Sequence, residues 1–117
     1  MIHGTIYNHQ NQQLILPNVM KTTSAIERMR GLLYRKPLNE NEALLIQPCS
    51  SIHTIGMKYD IDAIFLTRDL QVKKIFSHLK PWRFAMSFGA AMVLEVIAGN
   101  ADKIGLGENM ILQWETN

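Results

Sequence analysis

Between Cys49 and Asp62 the chain places its one cysteine, a histidine and two aspartates directly ahead of the apolar run Ala63-Ile64-Phe65-Leu66. A thiol, an imidazole and carboxylates gathered beside a core strand can bind a ligand, react with one, or satisfy one another. A site is therefore sought here first. Cys49, His53 and Met57 also recur at intervals of four. On a helix that spacing makes one stripe, able to offer sulfur, nitrogen and thioether to a soft metal. On a strand, residues four apart stand about 13 Å from one another, beyond a single coordination sphere. Pro48, Gly56 and the β-branched Ile52, Thr54 and Ile55 disfavour the helix, so no metal and no other cofactor is expected.

Cys49 and His53 are also the residue types of a thiolate and its base, which catalysis needs within hydrogen-bond reach of each other. A lone cysteine after an apolar run reads first as a small buried hydrophobe, and reactivity requires an accessible, electropositive pocket. Asp62 suits the role of orienting His53. A carboxylate at the edge of a core strand more often accepts hydrogen bonds from backbone or arginine, and Arg30 or Arg35 is the expected partner. Glu95, inside Val93-Leu94-Glu95-Val96, either faces solvent by strand alternation or pairs inwardly with an arginine, and a solvated or structural role is expected.

These residues need elements to hold them. Ile2, Ile6 and Tyr7, the polar cluster Asn8 to Gln12, and Leu14-Ile15-Leu16 read as a hairpin. Ser24 and Glu27 have capping-box spacing. Ile26, Met29 and Leu33 then recur on one helical face, which predicts a helix of about three turns ending at or before Lys36, ahead of Pro37. Ala43 to Ile46 reads as a buried strand, Ile61 to Leu66 and Val72 to Leu79 as a hairpin, and Met92 to Ile97 as a further strand. Asn100 is expected to cap a short helix that Gly105 ends, before a last strand, Met110 to Trp114. Met86, Met92 and Met110 read as core filler, and Pro81-Trp82 as cover for the end of the sheet. The fold class expected is α+β, mainly β: a strongly curled or barrel-like, largely antiparallel sheet with two or three short helices, which removes exposed edges.

At 117 residues, 47% hydrophobic and 19% charged, the chain fits one globular domain spanning residues 1–117. The start, Met1-Ile2-His3-Gly4-Thr5, lacks the features of a secretion signal, and a single cysteine forms no internal disulfide, so a cytoplasmic location is expected. No apolar run approaches the roughly 20 residues of a membrane span. Lys73, Lys74, His78, Lys80, Trp82 and Arg83 form a cationic and aromatic stretch able to stack a base and hold phosphates. An edge strand that uses lysines against sheet-to-sheet pairing has the same composition. With a formal charge of +2, nucleic acid is not the expected partner.

Arg30-Gly31-Leu32-Leu33-Tyr34-Arg35, Ile61-Asp62-Ala63-Ile64-Phe65-Leu66 and Val93-Leu94-Glu95-Val96-Ile97-Ala98-Gly99, in that order, with Pro81 between the last two and a late turn at Gly107, carry a resemblance. Over roughly residues 5 to 114 the chain resembles the domain-of-unknown-function family one-nine-two. The resemblance implies a compact, barrel-like β-rich fold with short helices and no established activity. Many members carry a Trp-Met-x-Asn-Thr type segment before the Leu-Asp-x-x-Phe strand, where this chain has His53-Thr54-Ile55-Gly56-Met57, so it looks like a Cys-x-x-x-His-Thr subtype.

Three functions are open on these residues. The first is a non-catalytic binding or accessory module that takes a small molecule or protein segment in a polar pocket near His53 and Asp62, with Cys49, Thr54 and Arg30 as further ligand-binding candidates. The second is a small enzyme, with a hydrolase among the candidates, using Cys49 or His53 with Asp62. The third is weak nucleic-acid binding through Lys73 to Arg83.

Overall fold

The computed structural model describes residues 1–33 and 35–117; Tyr34, part of the arginine-glycine motif and of the expected helix, lies outside them. Ile2–Asn8 (β1) and Leu14–Lys21 (β2) form the expected hairpin. Ala25–Arg30 (α1) follows, then Glu42–Ile46 (β3), Ser51–His53 (β4), Ile61–Leu66 (β5), Val72–Leu79 (β6), Phe84–Met86 (β7), Met92–Ile97 (β8), Asn100–Lys103 (α2) and Leu112–Thr116 (β9). Seven strands make one sheet in the order β6-β5-β8-β3-β2-β1-β9, antiparallel except where β2 meets β3. β4 and β7 pair apart from it as a two-stranded antiparallel ribbon.

The sheet curls until its two edges touch at one end. Gln71 and Ile111 form an isolated bridge, Val72 N–H donates to the Met110 carbonyl at 2.7 Å, and Leu112 N–H donates to that of Leu70 at 2.9 Å. The result is barrel-like without being a closed barrel. Close approach of β9 to β1 depends on Gly4, where a Cβ would collide with the Trp114 ring and the Glu115 carbonyl.

β3, β5 and β8 are buried on both faces, which is why they read as unbroken apolar runs. Inside the curl, Ile6, Leu16, Val19, Leu45, Ile64, Leu66, Leu94 and Val96 pack together, with Ala101 and Leu106 closing one end. On the outer face Leu44, Ile46, Ile61, Ala63, Phe65 and Val93 pack under Leu32, Leu38, Ile52, Met57 and Ala85. The second cluster is what the ribbon and the turn after α1 cover.

Four local expectations are corrected. α1 is a helix of 6 residues with none buried, and its supposed core face is exposed, Ile26 at 73% and Met29 at 80%. It starts as expected, the Ser24 hydroxyl accepting from Glu27 N–H at 3.2 Å, although the glutamate carboxylate reaches back to Thr23 N–H at 2.7 Å rather than to Ser24. It ends at Gly31, whose φ of 52° suits glycine. Gly99, not Asn100, is the N-cap of α2; Asn100 is buried and its side chain donates to the Glu40 carbonyl at 3.0 Å. Met86 is exposed rather than core, because β7 turns it outward while Ala85 packs inward.

The fourth correction concerns Asp62. Its partner is neither Arg30 nor Arg35: the fully buried carboxylate accepts His78 N–H at 2.8 Å and Ala101 N–H at 2.9 Å. It pairs across the sheet with Val96 on the inner face, so it ties β6 and α2 to β5. Asp62→Asn replaces one acceptor by a donor facing a backbone N–H and is expected to cost about 1–3 kcal/mol in urea unfolding. Arg30→Ala, at an exposed position, is expected to stay within about 0.5 kcal/mol; equal losses for the two variants would restore the ion pair.

Candidate functional site

Glu95 sits opposite Ala63 on β5 and Leu44 on β3, both members of the outer cluster. Pairing partners share a face, so its side chain enters that layer, away from Asp62. It is 4% exposed, and among the described residues its Oε1 has no hydrogen-bond partner. The expectation that alternation leaves Glu95 in solvent fails because both faces of β8 are covered. No ion pair reaches it among the described residues. Burial without a counter-ion raises its carboxyl from 4.5 to about 7.

The carboxylate lines a cleft of about 310 Å³ whose other walls include Arg28, Met29, Arg30 and Gly31 of the α1 end, Ile46 and Cys49, and Ser51, Ile52, His53 and Ile55 of the β4 segment. Gly31 lies over the carboxylate: a Cβ there would stand 3.7 Å from Glu95 Oε1. The turn that follows is held by Tyr59, whose hydroxyl donates to the Leu32 carbonyl at 3.3 Å, and the Tyr59 hydroxyl is itself raised above its usual range by burial and then by Glu95. Of the residues expected to form a site, Cys49, His53 and Arg30 meet around this cleft, while Thr54 and Asp62 do not line it.

Cys49 is free and half-buried, and its thiol donates to the Ser51 carbonyl at 3.0 Å. Burial pushes the thiol up, the Ser51 contact opposes that, and Glu95 raises it further. Such a group stays protonated at neutral pH and is a poor nucleophile. His53 Nδ1 accepts from Ile55 N–H at 3.3 Å. Thr54 is buried; its hydroxyl donates to the Lys80 carbonyl at 2.6 Å and accepts from Arg83 N–H at 2.8 Å, pinning β4 to β7. Among the described residues no three His, Cys, Asp or Glu side chains come together as metal ligands.

The cationic stretch takes a different place. Lys73, Lys74 and His78 are exposed on β6, an edge of the sheet, which fits the solvated-edge reading. Trp82, Phe84, Met86 and Phe88 are all exposed, between 53% and 92%. No helix among the described residues is long and apolar enough to cross a membrane.

The curled sheet, its overlying ribbon and the buried Glu95 lining the cleft define a small β-rich domain with a recess of about 310 Å³. The chain belongs to the family DUF192, described as an uncharacterized ACR, whose model matches residues 6–114. A candidate transcription regulator from Sinorhizobium meliloti 1021 has the same fold at 18% identity, with a TM-score of 0.82 over 97% of this chain and 92% of that one. A protein of unknown function from Novosphingobium aromaticivorans DSM 12444 is 20% identical, with a TM-score of 0.76 over 96% of this chain and 84% of the other. No curated protein matches.

Glu95 makes stability depend on pH. The folded carboxyl keeps its proton up to about 7, whereas the unfolded one loses it near 4.5. The stability of the neutral form is therefore complete below about pH 4.5 and is lost as pH rises through 7. Arg28, Arg30, Cys49, His53 and Tyr59 surround the group, so the Glu95→Gln variant is the proper reference. At pH 8 it is expected to be more stable than the parent by on the order of 3 kcal/mol, the gap closing toward pH 5. Urea titrations at both pH values measure this, and a gap that does not change with pH would mean that the carboxylate has found a counter-charge.

Proposed function

We propose that this chain is a non-catalytic binding module, a Cys-x-x-x-His-Thr subtype of its family, whose ligand enters the cleft beside His53 and is held at depth by Glu95. One observation carries the reading: a carboxyl group buried among apolar residues with an oxygen that no described protein donor satisfies, at the floor of a recess open to solvent. Leaving a buried polar atom unpaired costs about 1–3 kcal/mol, and such groups concentrate where a ligand completes them. A ligand carrying a hydrogen-bond donor, best of all a cationic one, repairs the defect. Arg28 and Arg30 at the rim favour an acidic group on the same ligand.

The hydrolase alternative has less support. Asp62 spends both oxygens on backbone N–H groups on the other face of the sheet, so His53 lacks its orienting acid, and the Cys49 thiol is raised rather than lowered.

Two measurements test this assignment. A thermal-shift series of small primary amines, amides and alcohols is expected to stabilise the parent protein, by about 3 kcal/mol at a hundredfold excess over Kd, with amines ahead and the advantage absent in Glu95→Gln. Uniform failure of all three classes removes the reading. Alkylation of Cys49 by iodoacetamide at pH 7.5 is expected to be slow until urea unfolds the chain; rapid labelling of the native protein would return Cys49 to the list of nucleophiles.

A further inference from the structure

The cleft runs along a strand edge that no strand among the described residues pairs with. Its walls include Ser51, Ile52 and His53 of β4 and no residue of β7, so it flanks the side of β4 that the ribbon leaves open. Ser87 N–H donates to the Ser50 carbonyl at 3.1 Å and Thr54 N–H donates to that of Arg83 at 2.8 Å. Positions 50, 52 and 54 therefore face β7, and the alternation of an antiparallel ladder turns the N–H and C=O groups of Ser51 and His53 the other way, toward the cleft. The thiol of Cys49 already meets the Ser51 carbonyl.

We propose that the cleft takes an extended peptide segment, which pairs with the open edge of β4 and directs one basic side chain inward onto Glu95. The inference rests on the binding-module reading and names the occupant. Side-chain direction follows from the register. Ile52 points into the outer cluster, while Ser51 and His53 point to solvent. A guest residue opposite Ile52 shares its face and points inward, toward the floor where Glu95 Oε1 has no partner among the described residues; its two neighbours point out. A new strand lies about 4.8 Å from β4, in the gap bounded on the far side by the Gly31 turn. Met29 at 80% and Ile55 at 50% exposure offer apolar surface at the rim, and Arg28 and Arg30 meet acidic residues at the guest's ends. Main-chain hydrogen bonds would supply affinity and the inward side chain specificity, as in other strand-addition complexes.

The test uses a blocked pentapeptide, Glu-Val-Lys-Val-Glu, titrated into the full chain by calorimetry. Three controls accompany it: the same peptide with norleucine for lysine, the same peptide N-methylated at both valines, and n-butylammonium alone. The expected result is that the parent peptide binds at least about tenfold more tightly than each control, that its amide contacts shift the Ser51 and His53 N–H resonances, and that Glu95→Gln removes the lysine preference. The norleucine control carries the same information without altering the protein. If n-butylammonium binds as well as the peptide and N-methylation changes nothing, strand pairing is wrong and the small-ligand module stands. If neither peptide nor amine binds, both readings fall together.

Discussion

Burial of β3, β5 and β8 on both faces is the constraint from which the rest of the structure follows. A sheet this small can cover two faces only by curling over one and recruiting other segments for the second. The inner face is filled by the sheet's own far strands, β1, β2 and β9, with α2 at one end. The outer face has no second sheet of comparable size and is covered by pieces: a three-residue pair of strands, the turn after α1, and Met57. Pieces leave gaps, and the cleft is the gap between two of them. Its floor is core strand, and its walls are short segments held by a few hydrogen bonds, those of the Tyr59 and Thr54 hydroxyls among them.

Within that layer Glu95 is a buried ionisable group on a central strand, and the electrostatics of the cleft turn on it. With Leu44 and Ala63 as cross-strand neighbours, the carboxyl has apolar surroundings on both sides. Its proton affinity rises, and it in turn raises the Cys49 thiol and the Tyr59 hydroxyl. Asp62 shows the opposite solution to the same problem, only one strand away. Two backbone N–H groups satisfy it, and it serves architecture. The contrast between an acid that is satisfied and one that is not, among the described residues, marks the candidate site better than residue type or spacing does.

Much of the frame is legible in the amino-acid sequence because the strands announce themselves as apolar runs with turn residues between them. The Ser24 cap is equally readable, since it depends on local hydrogen bonding alone. The length of α1 is not: Ile26, Met29 and Leu33 have helical period, but Gly31 breaks the chain into a left-handed turn, and the period describes no buried face. Alternation misplaces Glu95 for a related reason, because it assumes one wet face and β8 has none. The ribbon is hidden because β4 and β7 have three residues each and meet across about thirty residues of chain, so neither carries a pattern long enough to register. Cys49, His53 and Arg30 are drawn together only by that ribbon and that turn, and Asp62, though near them in sequence, is directed to the other face by the two-residue repeat of β5.

The cleft therefore depends on contacts that do little for the core. α1 buries no residue, and its last turn is fixed over Glu95 by the Gly31 conformation and the Tyr59 hydroxyl. β4 is fixed by Thr54, whose hydroxyl gathers Lys80 and Arg83 backbone groups under the ribbon. Elements with few buried apolar contacts open at lower free energy than the strands beneath them. The two walls can thus adjust around an occupant while the carboxylate stays where β8 holds it. A buried carboxyl on a core strand and short walls along the β4 edge are the two features on which the proposed recognition by one side chain and by backbone rests.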